Sequence, residues 1–280
     1  MKLSDSARAY LHSLGLEQEP PSLSFLERIC LAHLNTYPFE NISKLIYFRD
    51  HAGDKWGNPL PSLETFVNNH RDYHYGGTCY VLNSNLKLLL QAVGFACYHI
   101  KLGNEHIGII VHIADDRYYV DCGAAAPFFK PVRFETDAHN ISSFGGDRVH
   151  LLPEEPQQHQ YKYVRYIQDK QSGKTWHFDS RQPYQIQDFY SIVSESNRPG
   201  TTFMTILRCQ LYQTKNEQSL SLVNNKFGIR YASGETAVRT LTSVQEIQQV
   251  LADEFKLPRL PVAEAIAVLE TLEVDIFANT

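Results

Sequence analysis

The 280-residue chain contains no Cys-x-x-Cys pair. Its five cysteines, Cys30, Cys79, Cys97, Cys122 and Cys209, are odd in number and widely scattered, which argues against a zinc ribbon or a disulfide framework. Excess positive charge is missing as well. Twenty-six Lys and Arg face 31 Asp and Glu, a formal charge of −5, so no broad basic face for nucleic acid is implied. No apolar run approaches the roughly 18 residues that a membrane helix needs. The opening MKLSDSARAYLHSLGLEQEPPS has neither the apolar core of about 7–15 residues nor the small-residue cleavage site of a secretory leader. The expectation is a cytoplasmic protein without nucleic-acid or membrane partners. Internal repeats, low-complexity tracts and long linkers are also absent. What is present is ordinary globular composition, 43% hydrophobic and 20% charged, enough for one large domain or two to three small ones.

The chain reads as α+β in three consecutive sections. The first, 1–95, is helical: SLSFLERICLAHLNTYPF offers a capping box from Ser24 to Glu27 and an apolar face of Leu26, Ile29, Cys30 and Leu34, and should stop before Pro38. The second, 96–200, carries β-branched and aromatic runs: Ile107–Ile113, Arg117–Cys122, Tyr161–Ile167 and Lys174–Asp179. They predict an antiparallel sheet or barrel. The third, 201–280, mixes strands, beginning with Phe203–Tyr212, with a helix capped at Ser243 and a last helix over about Val262 to Leu272.

One cysteine stands out. In HYGGTCYVLNSNLKLLLQAVGF, Cys79 follows two glycines at the mouth of an amphipathic run whose stripe is Leu82, Leu86, Leu89 and Val93. Gly76 and Gly77 permit a tight bend and a close approach by substrate. Thr78 predicts an N-cap and Gly94 a C-cap. Cys79 then sits in a first helical turn, where free amides and the helix dipole favour the thiolate. A thiol nucleophile needs a base, and the base an orienting group. His106 opens one strand and Asp121 closes the next. With a two-residue turn at Asp115-Asp116, Asp121 would oppose Ile110, leaving His106 about four residues or ~13 Å away; a twist or bulge must close that gap. His112 with Asp115 or Asp116 competes, although a hairpin tip is ordinarily solvated. A metal site at His70, His74 and Cys79 lacks a fourth ligand.

The sequence resembles the arylamine N-acetyltransferases. The resemblance rests on Tyr75-Gly76-Gly77-Thr78-Cys79-Tyr80-Val81-Leu82-Asn83 and on Pro38-Phe39-Glu40-Asn41. It also rests on His106 before an apolar strand, Val120-Asp121-Cys122-Gly123, and the looser Pro199-Gly200-Thr201-Thr202-Phe203. It implies a helical N-terminal domain, a central β-barrel, a C-terminal α/β lid and a papain-like triad of Cys79, His106 and Asp121. It further implies acetyl-CoA as co-substrate without a metal, and an aromatic amine or hydrazine as acceptor in xenobiotic metabolism. The backbone amides of Cys79 and Gly103 would form the oxyanion hole. Gly103, Gly200, Thr201, Thr202 and Phe203 would meet CoA, and Phe39 and Ala124 would line the acceptor pocket. Lys215, Lys226, Arg230 and Arg239 are candidates for the CoA phosphates.

Three departures from the family pattern bear on function. Tyr75 replaces an arginine that pairs with the glutamate corresponding to Glu40, so Glu40 must be solvated, rebonded or protonated. The segment between Cys79 and His106 is short. Ala124 replaces a phenylalanine. A thioester hydrolase using the same three residues, or a non-catalytic CoA-binding scaffold, are the alternative functions.

Overall fold

The computed structural model describes residues 3–51 and 60–278. The helical part comprises α1 (Asp5–Ser13), α2 (Leu23–Thr36), α3 (Ile42–Asp50), α4 (Leu63–Tyr73) and α5 (Cys79–Ala92), with a two-residue strand β1 (Phe39–Glu40) between α2 and α3. The cap of α2 is Ser22, whose side chain accepts from the Phe25 amide, not the expected Ser24. The helix ends at Thr36, just short of the Tyr37-Pro38 step that cannot continue it. Gly94 follows α5 at φ +101°, the left-handed position that glycine supplies after a helix. No helix among the described residues is long and apolar enough to cross a membrane.

The middle of the chain does not close into the expected barrel; it forms two antiparallel sheets. β2 (Ala96–Leu102), β3 (His106–Ile113) and β4 (Asp116–Val120) make one, while β5 (Ile141–Phe144), β6 (Asp147–Glu155), β7 (Gln160–Ile167) and β8 (Lys170–Asp179) make the other. Ile100, Ile110, Tyr119, Phe128, Tyr163 and Phe178 fill a shared core. A short helix α6 (Tyr190–Ser196) leads into the last section. There β9 (Arg208–Gln213), β10 (Gln218–Val223), β11 (Lys226–Tyr231) and β12 (Thr236–Thr240) precede α7 (Val244–Asp253) and α8 (Val262–Thr271). Ser243 caps α7 as expected, accepting from the Glu246 amide. The expected strand from Phe203 begins only at Arg208, because Thr202–Met204 is a 3₁₀ turn.

The three sections interlock. β1 pairs with β9, so the fifth strand of the C-terminal sheet comes from the N-terminal section. Ile42, Leu45 and Ile46 of α3 share a core with Leu251, Ile266 and Leu269 of the last two helices. Each such fully buried aliphatic side chain contributes on the order of 1.5–3 kcal/mol.

The double glycine makes this interlocking possible. A Cβ on Gly76 would stand 1.9 Å from the Pro38 carbonyl oxygen. Gly77, at φ +139°, offers its carbonyl to the Glu40 amide at 3.1 Å. The close approach that Gly76 permits is therefore by the Pro38 backbone, not by a substrate as the sequence suggested. Gly76→Ala is predicted to destabilise the fold by at least about 2 kcal/mol, since backbone must move to admit the methyl group. Gly200→Ala, at φ +86° with nothing within 4 Å, should cost only about 1 kcal/mol of left-handed strain. Urea denaturation of both variants measures the difference; equal losses would show that the Pro38 contact is soft.

Candidate active site

Cys79 is the first residue of α5, where the first amides of a helix have no carbonyl partner within it. Thr78 occupies the N-cap position but its side chain makes no capping hydrogen bond, contrary to expectation; the Val81 amide donates instead to the Thr78 carbonyl at 3.0 Å. Thr78 and Cys79 line a cavity of about 440 Å³ together with His106.

The hairpin brings His106 to Asp121 more directly than the assumed turn allowed. Ile113 pairs with Asp116, so the turn is Ala114-Asp115, with Ala114 at φ +52°. Continuing that register places Asp121 opposite Gly108, two residues from His106 rather than four. A diagonal pair on one face is within reach of long side chains. His106 Nε2 and Asp121 Oδ2 are 2.7 Å apart, both buried. Gly108 is needed here because a Cβ would lie 2.9 Å from the Tyr119 ring.

Asp121 is surrounded by donors. Besides His106 it accepts from Asn83 Nδ2 at 2.8 Å, the Tyr119 hydroxyl at 2.6 Å and the Gly123 amide at 3.0 Å. Burial alone would raise its pKa, but His106, Asn83 and Tyr119 hold the carboxyl below its usual range. His106 shows the complementary balance. Burial disfavours its imidazolium most, yet the Asp121 charge and hydrogen bond, joined by the Cys79 side chain, push its pKa up to about 10. The ring also stacks on Trp176, centroids 4.6 Å apart and 11° from parallel. A cysteine beside a protonated, carboxylate-held imidazole is an arrangement suited to a thiolate nucleophile.

Several positioning residues were not picked out from the sequence. Asn83 stands one helical turn after Cys79; it also donates to the Ile107 carbonyl at 2.7 Å and accepts from the Cys122 amide at 3.0 Å. Its i+4 spacing from Cys79 was the available signal. Tyr119 shares parity with Asp121 along the strand. Gly123 lets its loop press onto α5, since a Cβ would sit 2.8 Å from Cys79 Cα. Trp176 carried no local signal.

The remaining expected site residues divide. Phe39, Ala124, Thr201, Thr202 and Phe203 all line the Cys79 cavity, and the Phe39 and Phe203 rings meet edge-on at 5.6 Å. Asn41 fixes that wall by donating to the Phe203 and Ile206 carbonyls and accepting from the Arg208 amide at 2.7 Å. Gly103 does not fit the oxyanion role, because its amide already donates to the His177 carbonyl at 2.9 Å. Gly103 and Gly200 are not among the cavity's lining residues, whereas Asn104 and Glu105 are. Phe128 and Phe129 do not replace the ring missing at Ala124: they pack on Tyr119 and Tyr212 respectively. His112 is exposed on the far end of its strand, and Asp116 pairs with Arg133 at 2.9 Å. His70 Nδ1 faces the Tyr75 carbonyl, and His74 Nδ1 accepts from the Arg259 amide. Of the four expected phosphate-binding cations, Arg230 alone lines a cleft; Lys226 bonds Thr240, and Arg239 lies over the Phe227 ring.

Glu40 is rebonded. Its carboxylate accepts from the Ser43 amide and hydroxyl at 2.8 and 2.6 Å and from the Gly76 amide at 3.1 Å. Tyr75 stacks on Tyr73 with centroids 5.3 Å apart.

A sequence model of the N-acetyltransferase family matches residues 22–262, and the chain belongs to that family of transferases. A curated arylamine N-acetyltransferase from Mycolicibacterium smegmatis is 28% identical over 145 residues. That match covers 45% of this chain and spans about half, 49%, of the relative's length. An arylamine N-acetyltransferase structure from Salmonella typhimurium superposes with a TM-score of 0.78 at 18% identity, covering 96% of this chain and all of that one. The Mycobacterium marinum arylamine N-acetyltransferase in complex with CoA gives 0.72 at 18% identity, over 94% and 97% of the two chains.

Burial raises the Glu40 pKa above its ordinary 4.5 more than the Ser43 and Gly76 hydrogen bonds lower it. A folded-state pKa above the unfolded one contributes stability below the unfolded value, and that contribution is lost as pH rises through the folded value. Glu40→Gln, which cannot ionise, should therefore gain on the wild type as pH rises above 4.5. Urea unfolding across that range checks it; a wild-type advantage that grows with pH would mean that the donors hold the carboxylate ionised.

Proposed function

We propose that the protein transfers an acetyl group from acetyl-CoA to an arylamine or arylhydrazine through an acetyl-Cys79 intermediate. The observation that carries this reading is the cavity in which Cys79 lies beside His106, itself hydrogen-bonded to a buried Asp121.

The chemistry follows from these groups. The Cys79 thiolate attacks the thioester carbonyl carbon, and the tetrahedral oxyanion is met by the Cys79 amide at the start of α5. The C–S bond to CoA breaks, and the CoA sulfur takes the proton of the His106 imidazolium. One thioester replaces another, so the half-reaction is nearly balanced. The amine then attacks the acetyl-Cys79 carbonyl, gives its proton to neutral His106, and the Cys79 thiolate leaves. Asp121 holds the imidazole through Nε2, leaving Nδ1 for the sulfur, and stabilises the imidazolium in both halves. Arylamines suit the second half because they are unprotonated at neutral pH. Phe39, Phe203 and Trp176 supply aromatic faces, each contact worth ~0.5–1.5 kcal/mol, while Ala124 leaves room beside them. Thr202 lines the same cavity with a hydroxyl for the pantetheine arm, while the Thr201 hydroxyl donates to the Ser196 carbonyl at 2.8 Å.

Iodoacetamide kinetics on Cys79 test the ion pair. The His106 imidazolium, favoured by Asp121, persists to about pH 10, and a neighbouring cation favours the reactive thiolate. The wild-type alkylation rate near neutral pH is expected to exceed that of His106→Ala. In His106→Ala it should climb with pH toward the free-thiol midpoint of ~8.5, and acetyl-CoA should protect Cys79 in the wild type. Cys79→Ala should release no CoA in the presence of amine. Identical pH profiles in the two proteins, or acetyl transfer by Cys79→Ala, would sink the proposal.

A further inference from the structure

A lysine shares the cavity with Cys79. Lys44, the third residue of α3, lines it together with Ser196, and Lys44 Nζ donates to Ser196 Oγ at 2.9 Å. The amine therefore stands at the cavity wall. One carboxylate fixes the starts of α3 and α5 relative to each other. Glu40 accepts from the Ser43 amide and hydroxyl at 2.8 and 2.6 Å, immediately before Lys44. It also accepts from the Gly76 amide at 3.1 Å, three residues before Cys79. Neither helix start can shift without breaking bonds to that carboxylate.

Besides His106, the other charged side chains of the cavity are Lys174, Glu105 and Glu195. Glu195 is held by Arg198 at 2.9 Å, Glu105 accepts from Trp176 Nε1 at 3.3 Å, and Lys174 Nζ lies 5.5 Å from the Trp176 ring centre. Burial pulls the Lys44 pKa down to about 8, opposed by the charge of Cys79. A desolvated lysine that is partly neutral near physiological pH is a nucleophile. The opposing charge belongs to the thiolate, and acylation removes it. Lys44 is thus most nucleophilic when a thioester stands in the same cavity.

We propose that Lys44 is a self-acetylation site: when no arylamine is present, acetyl-Cys79 passes its acetyl group to the Lys44 amine, and the resulting amide fills part of the acceptor space. The proposal rests on the acetyl-Cys79 intermediate above. Neutral Nζ attacks the thioester carbonyl carbon and forms the C–N bond, and the nitrogen's proton passes to neutral His106. The C–S bond then breaks, and the Cys79 thiolate leaves beside the His106 imidazolium. The product is an Nε-acetyl-lysine that has lost its charge and added an acetyl group's bulk to a cavity of about 440 Å³. CoA reverses a thioester but not an amide. An arylamine that discharges Cys79 first protects the enzyme, so turnover and self-modification compete for one intermediate.

The test incubates the whole protein with acetyl-CoA and no amine. Acetyl groups are then mapped by peptide mass spectrometry before and after neutral hydroxylamine, which cleaves thioesters and spares amides. Wild type is expected to carry a hydroxylamine-stable acetyl group on Lys44, and to lose transfer activity in proportion to it. An excess of aniline should suppress both. Lys44→Arg, whose guanidinium keeps the charge without the nucleophile, should release CoA and show no such loss relative to its own unincubated sample. Cys79→Ala has only dissolved acetyl-CoA as donor. It should carry at least about tenfold less stable label on Lys44, because the intramolecular attack is gone. CoA release without stable label on Lys44, label on Lys174 in its place, or equal label in Cys79→Ala overturns this proposal and leaves acetyl transfer standing. A wild type that neither releases CoA nor acetylates Cys79 overturns both.

Discussion

The site depends on one buried charge. Asp121 sits where its carboxylate would be costly to ionise, and four donors from four places make it affordable: Asn83 from α5, His106 from β3, Tyr119 from β4 and the Gly123 amide beyond. A buried carboxylate that lost a partner would leave an uncompensated charge, a penalty of several kcal/mol. The same bonds therefore specify geometry. They join the helix that carries Cys79 to the hairpin that carries His106, and Gly123 brings the two backbones together. The alignment of Cys79, His106 and Asp121 and local stability are, at this point, the same set of contacts.

Glu40 plays a parallel structural part without a charged partner. Where the family pattern has an arginine, Tyr75 stacks among tyrosines, and the acid turns to the Ser43 amide and hydroxyl and the Gly76 amide. The consequence reaches Cys79 through backbone alone. Glu40 holds Gly76, the Glu40 amide holds the Gly77 carbonyl, and Gly77 leads directly into α5. An ion pair is not required to place that turn, provided the Pro38 carbonyl can approach Gly76. The glycine, more than the arginine, is the constraint at this junction.

How much of this was legible in the sequence follows from the range of each interaction. The α5 helix, the caps at Ser243 and Gly94, and the β3–β4 pairing are local, so periodicity and turn residues announce them. The hairpin turns one residue earlier than its acidic pair indicates, because Ala114 takes the left-handed conformation to which Asp115-Asp116 are the better suited residues. The closed barrel did not materialise, because strand patterning reports which faces are buried and not whether the last strand meets the first. Trp176 against His106, Asn41 against the Phe203–Arg208 segment, and the clustering of Arg165 with Arg208 are contacts between distant segments. No spacing rule reaches them. The expected basic residues Lys215, Lys226, Arg230 and Arg239 all lie in the last section of the chain, whereas the four cations that converge on one cleft, Arg165, Lys174, Arg208 and Arg230, come from four different strands.

On the proposed reading, donor and acceptor use the same sulfur in turn, so they compete for the space around Cys79, Phe39 and Ala124. That competition sets what the cavity can offer either one. The Phe39, Phe203 and Trp176 rings line it with Cys79 and His106, and contacts made to both molecules by these groups cannot favour one over the other. Selectivity between them must come from groups that only one of them reaches, and binding energy drawn from outside the shared space can position a reacting group without filling it. The wall at Ala124 separates these regions: the next carbonyl, Ala125, accepts from Arg165 Nη2 at 3.0 Å and Gln210 Nε2 at 3.2 Å on its other side.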